Sequence, residues 1–284
     1  MSQPSVGGNA AGTVNLQYYK EPAAAARLRG WQMDETPERP LVSVVVPAFN
    51  EELWLERCIC ALQRQQTAVP YEIIVVDNGS TDGTAGLAER LGVRVVHESR
   101  RGLTFARQAG QDAARGAIVA HTDADSEAPP NWIESIARAF ARYPACVVVS
   151  GPMCFPRAPL LMQIVAPLQN FFVWLWWTLS GRLSVLNGCN FAVRASALAA
   201  AGGFAVNLPA TGDSRVLAIL KPHGSARRIG AKMRTSARRF HGEGTLPVLV
   251  FYAREQLAAV FGRERLMTFS DIRSPDGWAV RMRR

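Results

Sequence analysis

The feature that most constrains this chain is a series of β-branched, almost wholly apolar runs, each followed by turn residues and then by a stretch with helical spacing. "LVSVVVPAFN" (41–50) is too apolar to leave one face in water, so it reads as a strand covered on both sides. "EELWLERCICALQRQ" follows, with Leu55, Ile59 and Leu62 at helical spacing and acids in the first turn. "YEIIVVDNGSTDGT" is a second buried strand ending in turn residues, and "AGLAERLG" is a short helix closed by Gly92. "VRVVHES" and "AIVAHTDAD" read as further strands, "LTFARQAGQDAARG" as the helix between them, and "NWIESIARAFARYP" with "ACVVVSGPM" as one more helix and strand. Such alternation specifies an α/β fold, a mostly parallel twisted sheet with helices on both faces.

In sheets of this kind ligands bind outside the carboxyl ends of the strands. The polar residues fall there: Pro47, Ala48, Asn50 and Glu51 after the first strand, Asp77, Asn78 and Ser80 after the second, Asp123 and Asp125 after the fourth. Carboxylates that close to a core must be hydrated, paired or wrapped around a cation. Asp123 and Asp125, spaced D-x-D, form a hard oxygen site suited to Mg²⁺ or Mn²⁺ held jointly with phosphate oxygens. Asp77 is placed to accept hydrogen bonds from a base or ribose, or to cap the turn "DNGSTDG".

Composition narrows the alternatives. At 284 residues and 48% hydrophobic, the chain can bury a full core as one large domain or two small ones. The start, "MSQPSVGGNAAGTVNLQ", has no basic stretch followed by an apolar run, so it reads as an arm rather than a leader. The five cysteines, Cys58, Cys60, Cys146, Cys154 and Cys189, are scattered and fit no zinc spacing, which points to reduced thiols in a cytosolic protein. From Lys221 to Arg284 there are 14 Lys and Arg against 5 Asp and Glu, a surplus equal to the +9 of the whole chain. A basic final quarter fits phosphates on a small ligand or a lipid headgroup, or a solvated surface. A nucleic-acid partner is not expected, because no aromatic-interleaved binding module accompanies the charge. No G-x-G-x-x-G follows the first strand, which disfavours a dehydrogenase. The loop "PAFNEELW" is acidic and without glycine, which disfavours a sugar nucleotidyltransferase, the enzyme class kept as the alternative along with a non-catalytic nucleotide-sugar binder. "PLLMQIVAPLQNFFVWLWWTLSGRL" is long enough to span a bilayer but is broken by Gln163, Pro167, Gln169 and Asn170. It reads as an interfacial or acceptor-covering helix, with a buried helix under a flap equally open.

Five separated segments, "VSVVVPAFNEE", "YEIIVVDNGSTDGT", "GLTFARQAG", "AHTDADSE" and "NGCNFAVRASALAAAGGF", occur in an order and spacing that resembles the inverting glycosyltransferases of family two, which have the GT-A fold. The resemblance implies a GT-A catalytic domain over 39–245, with a nucleotide-binding half over 39–150 and an acceptor half over 151–245; the sequence on either side reads as a flexible arm with a short helical patch over 1–38 and a basic helical tail over 246–284. It implies a nucleotide diphospho-sugar donor, UDP- or GDP-linked, held by Pro47, Ala48, Asn50, Glu51, Asp77 and Ser80, with Arg107 near the diphosphate and Asp123 and Asp125 as the metal and ribose acids. Asp213 in "PATGDSRVLAIL" resembles the second acid of the family's Glu-Asp pair and is the expected base, although Gly212 replaces the first acid and Asp213 also fits a helix N-cap. A Q-x-x-R-W motif is missing from the place where "RRFHGEG" stands, which argues against processive polymer synthesis. There His241 is expected as a third metal ligand, with Arg238 and Arg239 bracing the diphosphate. The implied acceptor is a saccharide or a lipid-linked hydroxyl, and the implied location is cytoplasmic, peripheral at the inner face of a membrane whose anionic surface the basic tail would contact.

Overall fold

The computed structural model describes residues 40–181, 183, 186–204 and 213–250; the expected arm, and the tail beyond residue 250, lie outside the described residues. Seven strands form one sheet in the order β3-β2-β1-β4-β8-β6-β9. These are β1 (Val42–Ala48), β2 (Tyr71–Asp77), β3 (Arg94–His97), β4 (Ile118–His121), β6 (Cys146–Ser150), β8 (Phe191–Arg194) and β9 (Ser225–Arg228). β1 is central among the parallel pairs, aligned in full register with β2 from Val42↔Tyr71 to Ala48↔Asp77 and with β4 on its other side. All seven of its residues are buried, as a strand covered on both faces requires.

The period of two decides which helices each residue meets. Val44, Val46 and Val75 face α1 (Glu52–Gln63), whose Leu55, Ile59 and Leu62 join Trp132, Ile136 and Phe140 of α4 (Trp132–Arg142) in one core. Val45, Ile74 and Val76 face the other way, toward Ala106 of α3 (Leu103–Ala113) and a set that includes Leu198, Leu217 and Leu220. α3 sits against the sheet at Gly110, where a Cβ would lie 2.3 Å from Val45 Cγ1. α2 (Thr84–Arg90), α6 (Ala195–Ala200) and α7 (Asp213–Leu220) complete the helices packed on this sheet.

One segment differs from its sequence reading. Its flanking Asn-Gly and its alanines make "LNGCNFAVRASALAAAGGF" read as loop and helix, but Phe191–Arg194 is the strand β8, antiparallel to both β4 and β6. Four residues entering directly into an alanine-rich helix leave too short an apolar run to be recognised; its place is fixed by pairing with two neighbours in the sheet and by burial of Phe191 and Val193 in the core.

A second, three-stranded sheet, β5-β10-β7, stands over the carboxyl ends of the first: β5 (Ser126–Glu127), β7 (Met153–Cys154) and β10 (Met233–Thr235). β10 pairs with β5 through Thr235↔Ser126 and leads directly into α8 (Arg238–Gly242). The long helix α5 (Leu160–Ser180) runs beside this layer, and its Met162 and Ala166 pack on Ala237, Phe240 and Val248. Of the two readings left open for this segment, the buried helix is not the one the structure has: only 11% of its most apolar window is buried.

Candidate active site

The loops after β1 and β2 are fastened to each other before any ligand arrives. Asn50 adopts φ of 52°, a left-handed conformation that asparagine tolerates better than most residues. From there its N–H donates to Ser80 Oγ at 3.0 Å and its Oδ1 accepts from the Thr81 N–H at 2.8 Å. The Glu51 N–H donates to Thr84 Oγ1 at 2.8 Å. Asp77, buried at the end of β2, accepts the Ser80 N–H on Oδ1 at 3.1 Å and lies 3.2 Å from His97 Nδ1 through Oδ2. Asp77 therefore does serve the turn, and the turn in turn fixes its carboxylate at the rim. Pro47 and Ala48 form the floor as the last two residues of β1.

The D-x-D loop after β4 meets arginines from two directions. Arg107 of α3 is buried, donates to the Gly188 carbonyl at 3.2 Å, lies 5.3 Å from the Phe191 ring centroid and comes within 3.8 Å of Asp123 Oδ1. It thus ties the D-x-D to the loop preceding β8. From the other side, Arg238 of α8 reaches Asp125 Oδ2 through Nε at 2.9 Å and grips Glu51 with both terminal nitrogens at 2.7 and 2.6 Å. Its guanidinium also lies over Trp54, at 5.5 Å from the ring centroid. Burial works against its charge, but the hydrogen bonds to Glu51 and the charges of Asp125 and Asp123 prevail, so its pKa lies above the ordinary guanidinium value. Cys58 registers the same field from below: burial, then the negative charges of Asp125, Asp123 and Glu51, push its thiol pKa well up.

The structure thus brings Asn50, Glu51, Asp77, Ser80, Arg107, Asp123 and Asp125 to one edge. His241 is not brought to the aspartates: its Nε2 lies 3.0 Å from the Arg157 carbonyl oxygen, and among the described residues no three His, Cys, Asp or Glu side chains converge as a metal site. Arg238, three residues earlier on the same short helix, is what reaches Asp125 from this segment. Two carboxylates still fit a divalent ion that takes its other ligands from phosphate oxygens and water. Asp213 opens α7, and its side chain lies outside the described residues. Sequence reasoning missed Asn190, fully buried, which accepts from Trp132 Nε1 at 2.8 Å and donates to the carbonyls of Pro152 (2.8 Å) and Ala231 (2.9 Å). It pins the loop before β8 to α4 and to the segments that follow β6 and precede β10. An asparagine so close to "NG" reads in sequence as a turn residue.

A mostly parallel sheet whose strand-end loops carry a D-x-D between two arginines has the architecture of a GT-A domain, and solved structures share this fold. Glucosyl-3-phosphoglycerate synthase from Mycobacterium tuberculosis, in complex with Mn²⁺, UDP and glucosyl-3-phosphoglycerate, matches with a TM-score of 0.53 at 23% identity, over 79% of this chain and 80% of that one. The mannosyltransferase PcManGT from Pyrobaculum calidifontis, in complex with GDP-Man and Mn²⁺, matches with a TM-score of 0.56 at 21% identity, over 85% and 72%. The family profile of Glycosyl transferase family 2 matches residues 43–198, over half of the chain, and the chain belongs to that family. Glycosyltransferase AglE of Haloferax volcanii is 33% identical over 106 residues, 35% of this chain and 35% of its own length. Validoxylamine A glucosyltransferase of Streptomyces hygroscopicus subsp. jinggangensis is 34% identical over 134 residues, 44% of this chain and 32% of its own length. The chain thus spans about a third of the length of these curated relatives.

Proposed function

We propose that this chain is an inverting glycosyltransferase that moves a sugar from a UDP- or GDP-linked donor to an acceptor hydroxyl, working in the cytoplasm on a lipid-linked or membrane-proximal saccharide. The observation that carries the reading is the convergence of Asp77, Asp123 and Asp125 from different strand ends onto a rim that also holds Arg107 and Arg238. The family, and the nucleotide or nucleotide-sugar complexes of the structural neighbours, support it.

In this reading Asp77 accepts hydrogen bonds from the base or ribose, while the β1 loop and Ser80 shape the nucleotide pocket. Arg107, Arg238 and Arg239 hold the diphosphate by charge-assisted hydrogen bonds. Mn²⁺ or Mg²⁺ at Asp123 and Asp125, when bound, supplies Lewis-acid neutralisation of the leaving nucleotide diphosphate. His241 joins that ligand set only if its ring leaves the Arg157 carbonyl. Asp213 takes the proton from the acceptor hydroxyl on the face of the sugar opposite the leaving group.

Metal-dependent release of nucleoside diphosphate from UDP- or GDP-sugars tests the reaction, and release of pyrophosphate would show nucleotidyl transfer instead. Asp213→Asn is expected to leave donor binding intact and to lower transfer by about 10² to 10⁴. Loss of donor binding in that variant would assign Asp213 a structural role.

A further inference from the structure

We infer that α5 is a membrane-docking surface whose partner is an anionic bilayer, with the helix lying flat in the headgroup region. Little of the helix is used to hold it to the protein. Met162 and Ala166 are buried against Ala237, Phe240 and Val248 with Val165 beside them, and the half-buried Asn170 lines a small cleft with Arg228 and Asn187 and donates to the Met153 carbonyl at 2.8 Å. The large apolar side chains point away: Leu160 is 74% exposed, Phe172 62%, Trp176 54% and Leu179 78%, with Ile164, Leu168, Phe171 and Trp174 also exposed between them. Contiguous exposed apolar surface on this scale marks a binding face, and Trp and Phe are the side chains that suit the headgroup boundary.

The topology excludes a span. β6 before α5 and β8 after it pair directly, with Val148↔Val193 and Ser150↔Phe191, so both ends of the helix return to the same sheet. At 21 residues the helix is about 31 Å long and must lie along the surface.

Charge selects the occupant. Between residues 135 and 242 the chain has 13 Lys and Arg and one acid, Asp213. Among these cations, Arg157 precedes α5, Arg228 lines the cleft beneath it, and Arg239 neighbours Phe240, which packs with Met162 and Ala166. A second copy would set this cationic surplus against an equal one. Residues 251–284 also have a cationic surplus, 7 Lys and Arg against 4 acids, so they are poorly matched to it as well. An anionic lipid surface satisfies the apolar face and the charge together. The docking does not depend on the transfer reaction proposed above.

The test is co-sedimentation of the full chain with vesicles of phosphatidylglycerol and phosphatidylcholine, and with vesicles of phosphatidylcholine alone. Binding is expected with the anionic vesicles at low salt and at least about tenfold weaker with the neutral ones. The outward variant Leu168→Gln/Phe172→Gln/Trp176→Gln is expected to bind at least about 100-fold more weakly, since each exposed side chain contributes roughly a factor of ten. Thermal stabilisation by UDP and Mn²⁺ reports the donor site separately, so loss of vesicle binding and failure of the transfer reading are told apart. The conservative Trp174→Phe/Trp176→Phe keeps the face apolar; it is expected to bind while losing most of the tryptophan quenching by brominated-chain lipids. A parent that stays in the supernatant overturns the inference, as does a triple variant that pellets like the parent, which would assign binding to residues 251–284. Quenching unchanged in the Trp variant, or a solution dimer that the triple variant dissolves, overturns it equally.

Discussion

Replacing Arg238 by methionine keeps the length of the side chain and removes the charge that two acids share. Arg238 gives two hydrogen bonds to Glu51, a residue 1% exposed, and one to Asp125. Breaking a buried ion pair from one side costs about 3–5 kcal/mol, mostly through the charge left behind. Some of that is recovered here, because the Asp125 side chain is 12% exposed and can take up some water, so a loss of about 2–4 kcal/mol is expected. For a domain of this size that lowers the melting temperature by roughly 6–12 °C. The measurement is thermal unfolding in EDTA. Mn²⁺ added without nucleotide is then expected to stabilise the variant more than the parent, with affinity at least about tenfold higher, because Glu51, Asp123 and Asp125 no longer have a fixed cation between them. The double variant Glu51→Gln/Arg238→Met is expected to recover most of the lost stability, since no charge is left unpaired in the buried position. A single variant that melts within about 2 °C of the parent, or that gains nothing extra from Mn²⁺, refutes the reasoning.

Asp125→Ala is expected to abolish donor turnover and metal-assisted nucleotide binding, and turnover within a few-fold of the parent refutes its role. Asn190→Leu leaves the Trp132 donor and the Ala231 carbonyl without this partner inside the core, while the Pro152 carbonyl keeps the Met233 N–H, with an expected loss of about 2–4 kcal/mol by urea unfolding. Gly110→Ala sets a methyl group 2.3 Å from Val45 Cγ1 and is expected to cost about 1–3 kcal/mol despite the better helix propensity of alanine. A neutral result there would show that α3 can shift away from β1.

The central strands were legible because a strand covered on both faces has to be apolar at every position, and few other elements produce "VSVVVPA" or "EIIVVD". β9 and β10 were not: "SARR" and "MRT" carry charges that mask their pairing, and β10 has only three residues to show. At the rim, Asp77, Asp123 and Asp125 could be picked out because carboxylates directly after buried strands need an explanation. The pairing of Glu51 with Arg238 could not, since it joins residues 187 apart and nothing in their local sequence sets that register. His241 drew attention through the chemistry of its side chain, whereas the packing of α8 gave the approach to Asp125 to an arginine.

The clasp between Glu51 and Arg238 also bears on the order in which the protein is made. During synthesis residues 40–150 emerge first, with the acids of the rim facing water and the loops after β1 and β2 able to tie through Asn50, Ser80 and Thr84. Only when the chain has grown past residue 238 does the compensating guanidinium arrive. A nascent chain arrested short of that point presents an open acidic rim, and the late helix is the latch that closes it.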